Sequence, residues 1–579
     1  MPAASALPKN TVFDTAADDG TGAIHGCDHG EEGEVRVSRS RYLLVGVSAL
    51  ALIAGAGTLY VAPLAADPVG PKDCTDVLPR LPALASSPTS ATVAEPRWSQ
   101  RGGTVNDASC LSRTAVAGVV RPRTEADVAT ALAYARAHRL PVSAAGVKHS
   151  MGGQAFRAGG VVLDMRGMQT IQLDEAARTV TVGGGATWHA IQLAVHPRFA
   201  VKAMQSTDIF SVGGSISVNA HGMDHQAGAV MGSLRSLRVM LADGQIVTAS
   251  RDENAELFRH VVGGYGLFGV ILSAVLDVVP NDIYRSERQL IDYRAFPKTF
   301  AQIAADPSVG LSYVHLSTAP KTLLQEALVY QYRRFPEDQA LVRQPLAEVA
   351  STKVRRVTVN LAKKNDMFKA LKWWSEKNIE HRIETCTVTR AQAQGSGEAC
   401  LVARNDPMHD SVAYLFNNLP GETDILHEYF VPRDRIVPFI DGMRRIFKAQ
   451  DANVVNASIR AVGIEDNALS YAPAPAFSIV LYLNQPTTAE GTARMRRLTS
   501  DLIDLTSDEG GRFFLPYQLH YSAAQLERAY PDIGAFFATK RAFDPDGLFS
   551  NTWYARYAPA FAKQPAAIRP SITSGAPST

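Results

Sequence analysis

The residues best suited to chemistry lie in a glycine-bearing turn between two apolar runs. The turn covers residues 145–153 and leads into the strand-like segment 160–164. A row of backbone N–H groups in such a turn can bind a phosphate. His149 lies inside the turn, so the sequence predicts an anion-binding loop with an imidazole beside the anion.

Two further glycine-containing segments follow in order. Residues 212–222 contain Val212-Gly213-Gly214 and His221-Gly222, and residues 262–271 contain Gly269. The spacing Gly264-x-Gly266-x-x-Gly269 matches a dinucleotide fingerprint only superficially, because an apolar strand-like run follows where a helix should begin. A nicotinamide site is therefore not expected there.

The three segments together resemble the FAD-linked oxidases of the vanillyl-alcohol oxidase family. The resemblance implies FAD as the cofactor and a PCMH-type FAD-binding domain. It also implies a covalent bond from His149 to the flavin, with a hydrogen-bonding role in the turn as the alternative. The residues that it assigns to FAD binding are Gly146, Val147, Lys148, His149, Ser150, Gly153, Ser206, Ser211, Val212, Gly213, Gly214, Val218, Asn219, His221, Gly222, Gly269, Val270 and Ile271.

Candidate catalytic residues come mainly from the second half of the chain. The segments around Arg460 and Tyr517 resemble the aldonolactone and alditol oxidases and decaprenylphosphoryl ribose oxidase, in which a lysine stands where Tyr517 falls. A phenol has an ordinary pKa of about 10, whereas an imidazole has one near 6.5, so His520 is the better candidate base. Ser215 falls where a serine of the alditol oxidases contacts substrate.

The resemblance implies an oxidase or dehydrogenase, like D-arabinono-1,4-lactone oxidase, that oxidises a CH–OH group of a sugar, polyol or aldonolactone. Oxygen, a quinone or a carrier protein would accept the electrons. One alternative is amine oxidation, because residues 149–155 and Asp208 also resemble the cytokinin dehydrogenases. Another is a non-catalytic, membrane-anchored binding protein with the same fold.

Charge and cysteine content set the remaining expectations. Lys and Arg number 58 against 56 Asp and Glu, so a nucleic-acid partner is not expected. His221 and His225 lack a third ligand nearby, and no metal site is expected. Four cysteines follow the apolar segment 42–66. The pairs Cys74/Cys110 and Cys386/Cys400 are natural disulfides in an oxidising compartment. The other pairings, and four free thiols, are left open.

Residues 42–66 contain no charged side chain and follow Arg36, Arg39 and Arg41. At about 1.5 Å per residue a helix of this length would reach about 37 Å, enough to cross a membrane core of about 30 Å. We expect an uncleaved signal-anchor, with a cleaved signal peptide or a core helix as alternatives. The arginines place the amino terminus in the cytoplasm and the catalytic domains outside it.

The expected fold class is α+β, with a two-subdomain FAD-binding domain, an α/β substrate-capping domain and one preceding transmembrane helix. The predicted order is a cytoplasmic tail (1–40), the transmembrane segment (42–66), a proline-rich tether (67–96), the FAD-binding domain (97–280), the cap (281–511), a closing segment (512–560) and a disordered tail (561–579).

Overall fold

The computed structural model describes the catalytic body of the chain. The described residues are 62–66, 93–336, 341–348, 352–379, 386, 388–389, 393–394, 398, 400–410, 412, 415, 418–564 and 572–573. All of them belong to the compact unit Tyr60–Thr579.

The first part of this body contains twelve strands and four helices. The strands are β1 (Trp98–Arg101), β2 (Thr104–Val105), β3 (Thr114–Ala115), β4 (Gly118–Val120), β5 (Val142–Ala145), β6 (Val161–Asp164), β7 (Ile171–Asp174), β8 (Thr179–Gly183), β9 (Phe199–Val201), β10 (Leu234–Met240), β11 (Ile246–Ser250) and β12 (Val270–Pro280). The helices are α1 (Glu125–Ala137), α2 (Trp188–Val195), α3 (Val212–Ser217) and α4 (Ala255–Val261).

These strands form two principal sheets. One has the order β1-β4-β6-β5, with β6 parallel to both β4 and β5. The other has the order β11-β10-β12-β8-β7, with β9 added to β12. The glycine turn leaves the end of β5, and α3 donates its first amide to the loop after β8 through Val212 N and Ala186 O at 2.8 Å. Both phosphate-binding candidates are thereby held at sheet ends.

The second part is built on one antiparallel sheet of eight strands, in the order β16-β13-β15-β14-β18-β19-β17-β20. The strands are β13 (Ile283–Asp292), β14 (Val309–Leu316), β15 (Glu326–Arg334), β16 (Leu401–Ala403), β17 (Glu422–Pro432), β18 (Val454–Val462), β19 (Ala476–Pro486) and β20 (Arg512–Phe513). The helices are α5 (Phe296–Ala305), α6 (Thr352–Lys364), α7 (Asp366–Asn378), α8 (Ile436–Ala449), α9 (Ala489–Asp508), α10 (Ala523–Ala529), α11 (Ile533–Phe543) and α12 (Thr552–Tyr557).

The chain changes sheets between Pro280 and Ile283, where the sequence predicts the boundary between the FAD-binding domain and the cap. After β20 it returns to the first part. Val142 of β5 donates its amide to Leu548 O at 2.7 Å, so the closing segment packs beside the strand that precedes the glycine turn. Mixed α and β content agrees with the predicted class.

Local sequence signals explain several element boundaries. Thr124 caps α1 in a capping box with Asp127, as the pattern predicts. Asp243 and Gly244 form the turn between β10 and β11. Residues 523–543 form two helices, α10 and α11, because Pro531 between them lacks an amide and disfavours the helical conformation at the residue before it.

The predicted transmembrane segment lies outside the described residues apart from 62–66. Those five residues contact α6, where Asn360 Nδ2 donates to Leu64 O at 3.0 Å and Arg356 Nη1 donates to Ala66 O at 2.9 Å. Within the described part of the chain, no helix combines the length and the apolar character needed to cross a membrane.

The predicted pair Cys386–Cys400 forms a disulfide. Cys110 is also disulfide-bonded, and Cys74, its predicted partner, lies outside the described residues.

Candidate active site

Two adjoining cavities lie between the two parts of the body. The larger has a volume of about 1030 Å³ and the smaller about 190 Å³. The side chains that line both are His149, Gln205, Phe210, Leu426, Phe514 and Tyr517. Because the cavities share these walls, one ligand seated in the smaller cavity can present a reactive end to a second ligand in the larger one.

The smaller cavity is a slot made from segments that are far apart in the sequence. It lies between the glycine turn after β5, the start of α3, the start of β12 and the closing segment. The predicted residues that line it are Gly146, Val147, Lys148, His149, Ser150, Ser211, Gly213, Gly214, Ser215, Val218, Gly269 and Ile271.

The backbone of the glycine turn is arranged to bind an anion. The amides of Val147, Lys148 and Ser150 donate to no acceptor among the described residues. Lys148 has a φ of 61°, which breaks the extended direction of the chain and lets neighbouring amides converge. A Cβ on Gly146 would lie 1.8 Å from Ser211 Oγ, so only glycine allows the turn to approach α3 this closely. These features fit a dinucleotide pyrophosphate.

His149 lies where the two cavities meet. Its ring packs edge-on against Phe210, with the ring centroids 5.4 Å apart. Burial lowers the pKa of His149 to about 4, so its imidazole is neutral at physiological pH. A neutral imidazole is the form that can bond to a carbon of a cofactor.

Five predicted cofactor residues line neither cavity: Gly153, Val212, Asn219, Gly222 and Val270. They support the walls instead. Asn219 accepts the amide of Met231 at 3.1 Å and donates to Glu465. A Cβ on Gly222 would lie 1.9 Å from Met204 O, so its hydrogen side chain allows two loops to touch.

The larger cavity is lined by strands of the eight-stranded sheet on one side and by the loop before α3 on the other. The predicted residues that line it are His149, Ser206, His221, Arg460 and Tyr517. The stacked rings of Tyr313 and Tyr330, from β14 and β15, form part of its wall, with centroids 4.5 Å apart and planes 7° from parallel. Asn456 and Ser458 of β18 add polar groups.

A buried carboxylate joins these side chains into a network. Glu428 of β17 is 5% exposed and accepts hydrogen bonds from His221 Nε2 and, at 2.5 Å, from Ser478 Oγ. Tyr517 Oη lies 3.5 Å from its other oxygen. Burial raises the pKa of Glu428, but His221 and the hydrogen bonds outweigh burial, so the net pKa lies below the usual 4.5. Glu428 is therefore ionised.

The tautomer of His221 follows from this contact. An ionised carboxylate can only accept hydrogen bonds, so His221 Nε2 carries the proton. Nδ1 has no hydrogen-bond partner in the described structure, and it carries the lone pair whenever the imidazole is neutral. The side chain lines the larger cavity, so in that neutral form Nδ1 can accept a proton from a ligand there.

Arg460 and Tyr517 lie beside Glu428. Arg460 Nε has no hydrogen-bond partner among the described residues, and burial lowers the pKa of the guanidinium without removing its charge. Burial, and then the charge of Glu428, raise the pKa of Tyr517 well above 10. Tyr517 is a neutral hydroxyl and cannot act as a phenolate base.

His520, the predicted base, lies outside both cavities. Burial and the charges of Arg496 and Arg556 lower its pKa to about 4. Ser215 lines the slot, but its hydroxyl contacts Gln205 and accepts from Trp188 Nε1 at 2.9 Å. The structure thus brings Arg460 and Tyr517 together at the larger cavity and leaves His520 away from them.

Sequence reasoning missed Glu428, because residues 427–432 form a strand-like run that predicts only a strand of the cap. A signal was present: Glu428 precedes the apolar run Tyr429-Phe430-Val431 within a strand, and buried charges need a specific partner. That partner, His221, is 207 residues away in sequence, so the pairing was invisible without the fold.

Known proteins share these features. Residues 116–250 match the model of the FAD binding domain. An uncharacterized oxidoreductase (ORF5 in fasciation locus) of Rhodococcoides fascians is 37% identical over 161 residues, which is 27% of this chain and 36% of the length of that protein.

Two relatives extend over most of both chains. Cytokinin dehydrogenase 2 of Arabidopsis thaliana is 24% identical over 75% of this chain and 87% of its own length. Decaprenylphosphoryl-beta-D-ribose oxidase of Mycolicibacterium smegmatis is 22% identical over 71% of this chain and 87% of its own length.

The matched FAD-binding domain confirms FAD as the cofactor. The slot fits FAD. The backbone amides of the slot suit the pyrophosphate, and the wall that the slot shares with the larger cavity suits the flavin end. Residues 116–250 therefore form an FAD-binding domain, and the chain as a whole is similar to FAD-linked oxidoreductases.

Proposed function

We propose that this protein is an FAD-dependent oxidoreductase that oxidises a CH–OH carbon of a sugar, polyol or aldonolactone. FAD, when bound in the slot, supplies the hydride acceptor. The protein must then remove the hydroxyl proton and stabilise the charge that develops on oxygen. The pairing of His221 with Glu428 in the larger cavity is the observation that carries the proposal.

His221 is the proposed base. Glu428 fixes its tautomer, so the lone pair on Nδ1 can accept the hydroxyl proton while the carboxylate stabilises the imidazolium that forms. A buried carboxylate thus holds the base in place. The His221–Glu428 pair takes the role of proton acceptor that the sequence analysis assigned to His520.

Arg460 and Tyr517 complete the proposed site. The Arg460 cation would stabilise negative charge developing on the substrate oxygen, in a cavity where water screens it little. The Tyr517 hydroxyl, which lines both cavities, would orient the substrate between the base and the cofactor.

The cavity wall supports a polyhydroxylated ring as the substrate. Flat faces of Tyr313 and Tyr330 can pack against the C–H groups of such a ring, while Asn456 and Ser458 can bond to its hydroxyls. The similarity to decaprenylphosphoryl-beta-D-ribose oxidase supports the same class.

Amine oxidation is the second candidate, favoured by the long match to cytokinin dehydrogenase 2. Its expected base was Asp208. In the structure, Asp208 is 1% exposed, lines neither cavity and receives the side chains of His189 and His409. This placement favours the alcohol substrate.

We also propose an extracytoplasmic, membrane-tethered enzyme whose electrons pass to oxygen, a quinone or a carrier protein.

Anaerobic reduction tests the proposal directly. The purified yellow holoprotein is mixed with an aldonolactone, an alditol, or an N⁶-alkenyl adenine, and the flavin absorbance is followed. Bleaching by the lactone or the alditol, and not by the amine, is expected. Bleaching by the amine alone, with loss of the rate in Asp208→Asn, would establish the second candidate. A protein that no donor in the panel reduces would favour the binding-protein alternative.

A further inference from the structure

The outer face of α7 carries three large apolar side chains that are exposed. Met367, Leu371 and Trp374 have exposed fractions of 64%, 52% and 51%. Their spacing of four and then three residues places them on one side of the helix, because an α-helix has about 3.6 residues per turn. No other helix in the described part of the chain exposes more than one such side chain. We call these three residues the apolar stripe.

Contacts on the opposite side of α7 hold the apolar stripe outward. Trp373 is 2% exposed, and its Nε1 donates to Glu326 Oε2 at 2.5 Å. Lys377, one helical turn later, donates to the same oxygen at 2.8 Å. Glu326 is the first residue of β15, so these bonds join α7 to the eight-stranded sheet. Turning the stripe inward would break both bonds, and the stripe therefore faces whatever surrounds the protein.

Residues 62–66 lie against α6, the helix that packs beside α7. Asn360 Nδ2 of α6 donates to Leu64 O at 3.0 Å, and Asn418 Nδ2 donates to Ala66 O at 2.8 Å. Leu64 is buried. Since a helix with its side chains is about 10–12 Å across, the chain reaches the catalytic body about one helix diameter from α7.

This point of entry is the carboxyl end of the apolar segment 42–66. If residues 62–66 belong to the catalytic body, residues 42–61 are left to cross a membrane. They contain no charged side chain, and twenty residues in a helix span about 30 Å, the thickness of a hydrocarbon core. A bilayer that the chain leaves at residue 61 would lie beside α6 and α7.

We propose that the apolar stripe inserts into the surface of the phospholipid bilayer to which the chain is tethered. The inference rests on the proposed membrane tether. Amphipathic helices that lie on membranes bury their apolar face between the headgroups and the acyl chains, and tryptophan is favoured at that depth. The stripe supplies one tryptophan and two flexible apolar side chains for this contact.

Charge makes a smaller contribution to this docking than apolar contact. Residues 352–379, which include α6 and α7, contain eight Lys and Arg against two Asp and Glu. Five of the lysines pair with carboxylates of the protein itself. The stripe should therefore insert into zwitterionic phosphatidylcholine, and a strongly anionic bilayer is not required.

Quenching of tryptophan fluorescence by lipid tests the proposal. The full-length, FAD-loaded protein is reconstituted into phosphatidylcholine vesicles whose acyl chains are either unmodified or brominated, since bromine quenches indole fluorescence on contact. Segment 42–66 contains no tryptophan, and of the five tryptophans, all within the described residues, only Trp374 is exposed. We expect weaker emission in the brominated vesicles, and Trp374→Phe should lose most of that difference.

A carboxylate placed in the stripe should oppose insertion. Leu371→Glu should reduce the quenching at least about twofold, because a charged group is costly to place among acyl chains. Leu193→Glu on α2 is the matched control, since Leu193 is 49% exposed and lies outside the stripe, and it should be quenched as the wild type is. Both leucines are exposed, so both variants should fold. Flotation with the vesicles in a density gradient measures the tether separately.

Three results would overturn the proposal. Vesicles that carry the protein in flotation but do not quench it would disprove the docking and leave the tether standing, whereas failure of both would remove the tether as well. Quenching that persists in Trp374→Phe would place another part of the protein in the bilayer. A dimer in detergent that Leu371→Glu converts to a monomer would assign the stripe to a second copy of the chain. Emission and flotation are measured without turnover, so the oxidoreductase proposal stands in each case.

Discussion

In the proposed mechanism, a buried carboxylate controls proton removal in the larger cavity. Glu428 stays ionised inside the protein because His221 and Ser478 donate to it. The same contacts prepare His221 to accept a proton on the cavity side. Removing either residue should therefore slow proton removal without emptying the FAD slot, since neither residue lines that slot.

His221→Gln should lower the rate of flavin reduction by about 10²–10⁴-fold, because no other base replaces the lone pair on Nδ1. Glu428→Gln should also slow reduction and change its pH dependence. His225→Gln is the matched control, because His225 lines neither cavity. Stopped-flow reduction across pH 5 to 9 measures the effect, and a wild-type rate and pH profile in His221→Gln would remove this residue from the mechanism.

Glu465 predicts a pH dependence of stability. Burial raises its pKa to about 7, although Asn219 donates to it. Below about pH 4.5 the carboxyl is protonated in both folded and unfolded states. As pH rises from 4.5 to 7 only the unfolded state loses the proton, so the folded state loses up to about 3 kcal/mol of stability.

Glu465→Gln should abolish this loss, because glutamine keeps a neutral donor and acceptor. The variant should be more stable than the wild type at pH 8 and equal to it near pH 4.5, as urea unfolding would measure. Glu527→Gln, an exposed control, should match the wild type at both values. Equal stability of the Glu465 variant and the wild type at pH 8 would show that folding does not raise the pKa of Glu465.

At the scale of elements, the closing segment and the glycine turn depend on each other. Gln154 Nε2 donates to Pro516 O, and Gly152 lies directly against Tyr517. A Cβ on Gly152 would lie 2.5 Å from Tyr517 O, which is backbone and cannot rotate away. The slot is therefore sensitive to a single methyl group at this contact.

Gly152→Ala should destabilise the protein by about 1–3 kcal/mol and weaken FAD binding, since the two walls of the slot must separate. Gly463→Ala is the control, because nothing lies within 4 Å of a Cβ there. Urea unfolding and the flavin-to-protein absorbance ratio measure both effects. Wild-type values for Gly152→Ala would mean that the two segments do not meet as described.

The sequence predicted one half of the site better than the other. The residues of the glycine turn and of the start of α3 are contiguous in sequence, so their spacing alone pointed to the slot that they line. The larger cavity is lined by side chains from β14, β15, β17 and β18, and of these strands only β18, around Arg460, carries a pattern that the sequence analysis used. Its proton acceptor, His221, depends on Glu428, and only the fold brings that pair together.

For the whole molecule, FAD joins parts that are distant in the chain. His149→Ala should release the cofactor: acid precipitation of the wild type should leave yellow colour in the pellet, and the variant should leave it in the supernatant. Colour in the supernatant for the wild type would disprove the covalent bond but not FAD binding. His225→Gln should behave as the wild type.

The same variant makes the cofactor removable and its contribution measurable. FAD added to the stripped His149→Ala protein should raise its unfolding free energy by about 2.7 kcal/mol at 100 times the dissociation constant. The catalytic body should unfold in one transition, because residues from both its amino-terminal and its carboxyl-terminal parts line the slot. A transition insensitive to FAD would show that the slot is not the binding site.

The hydrogen bond between Gln154 and Pro516 has a consequence for biosynthesis. The two residues are 362 positions apart. At about 5–20 residues per second, a ribosome needs about 20–70 s to make the intervening chain. A nascent polypeptide that already contains the glycine turn must wait this long for the second wall of the slot, so tight FAD binding can begin only after Pro516 and its neighbours have been made.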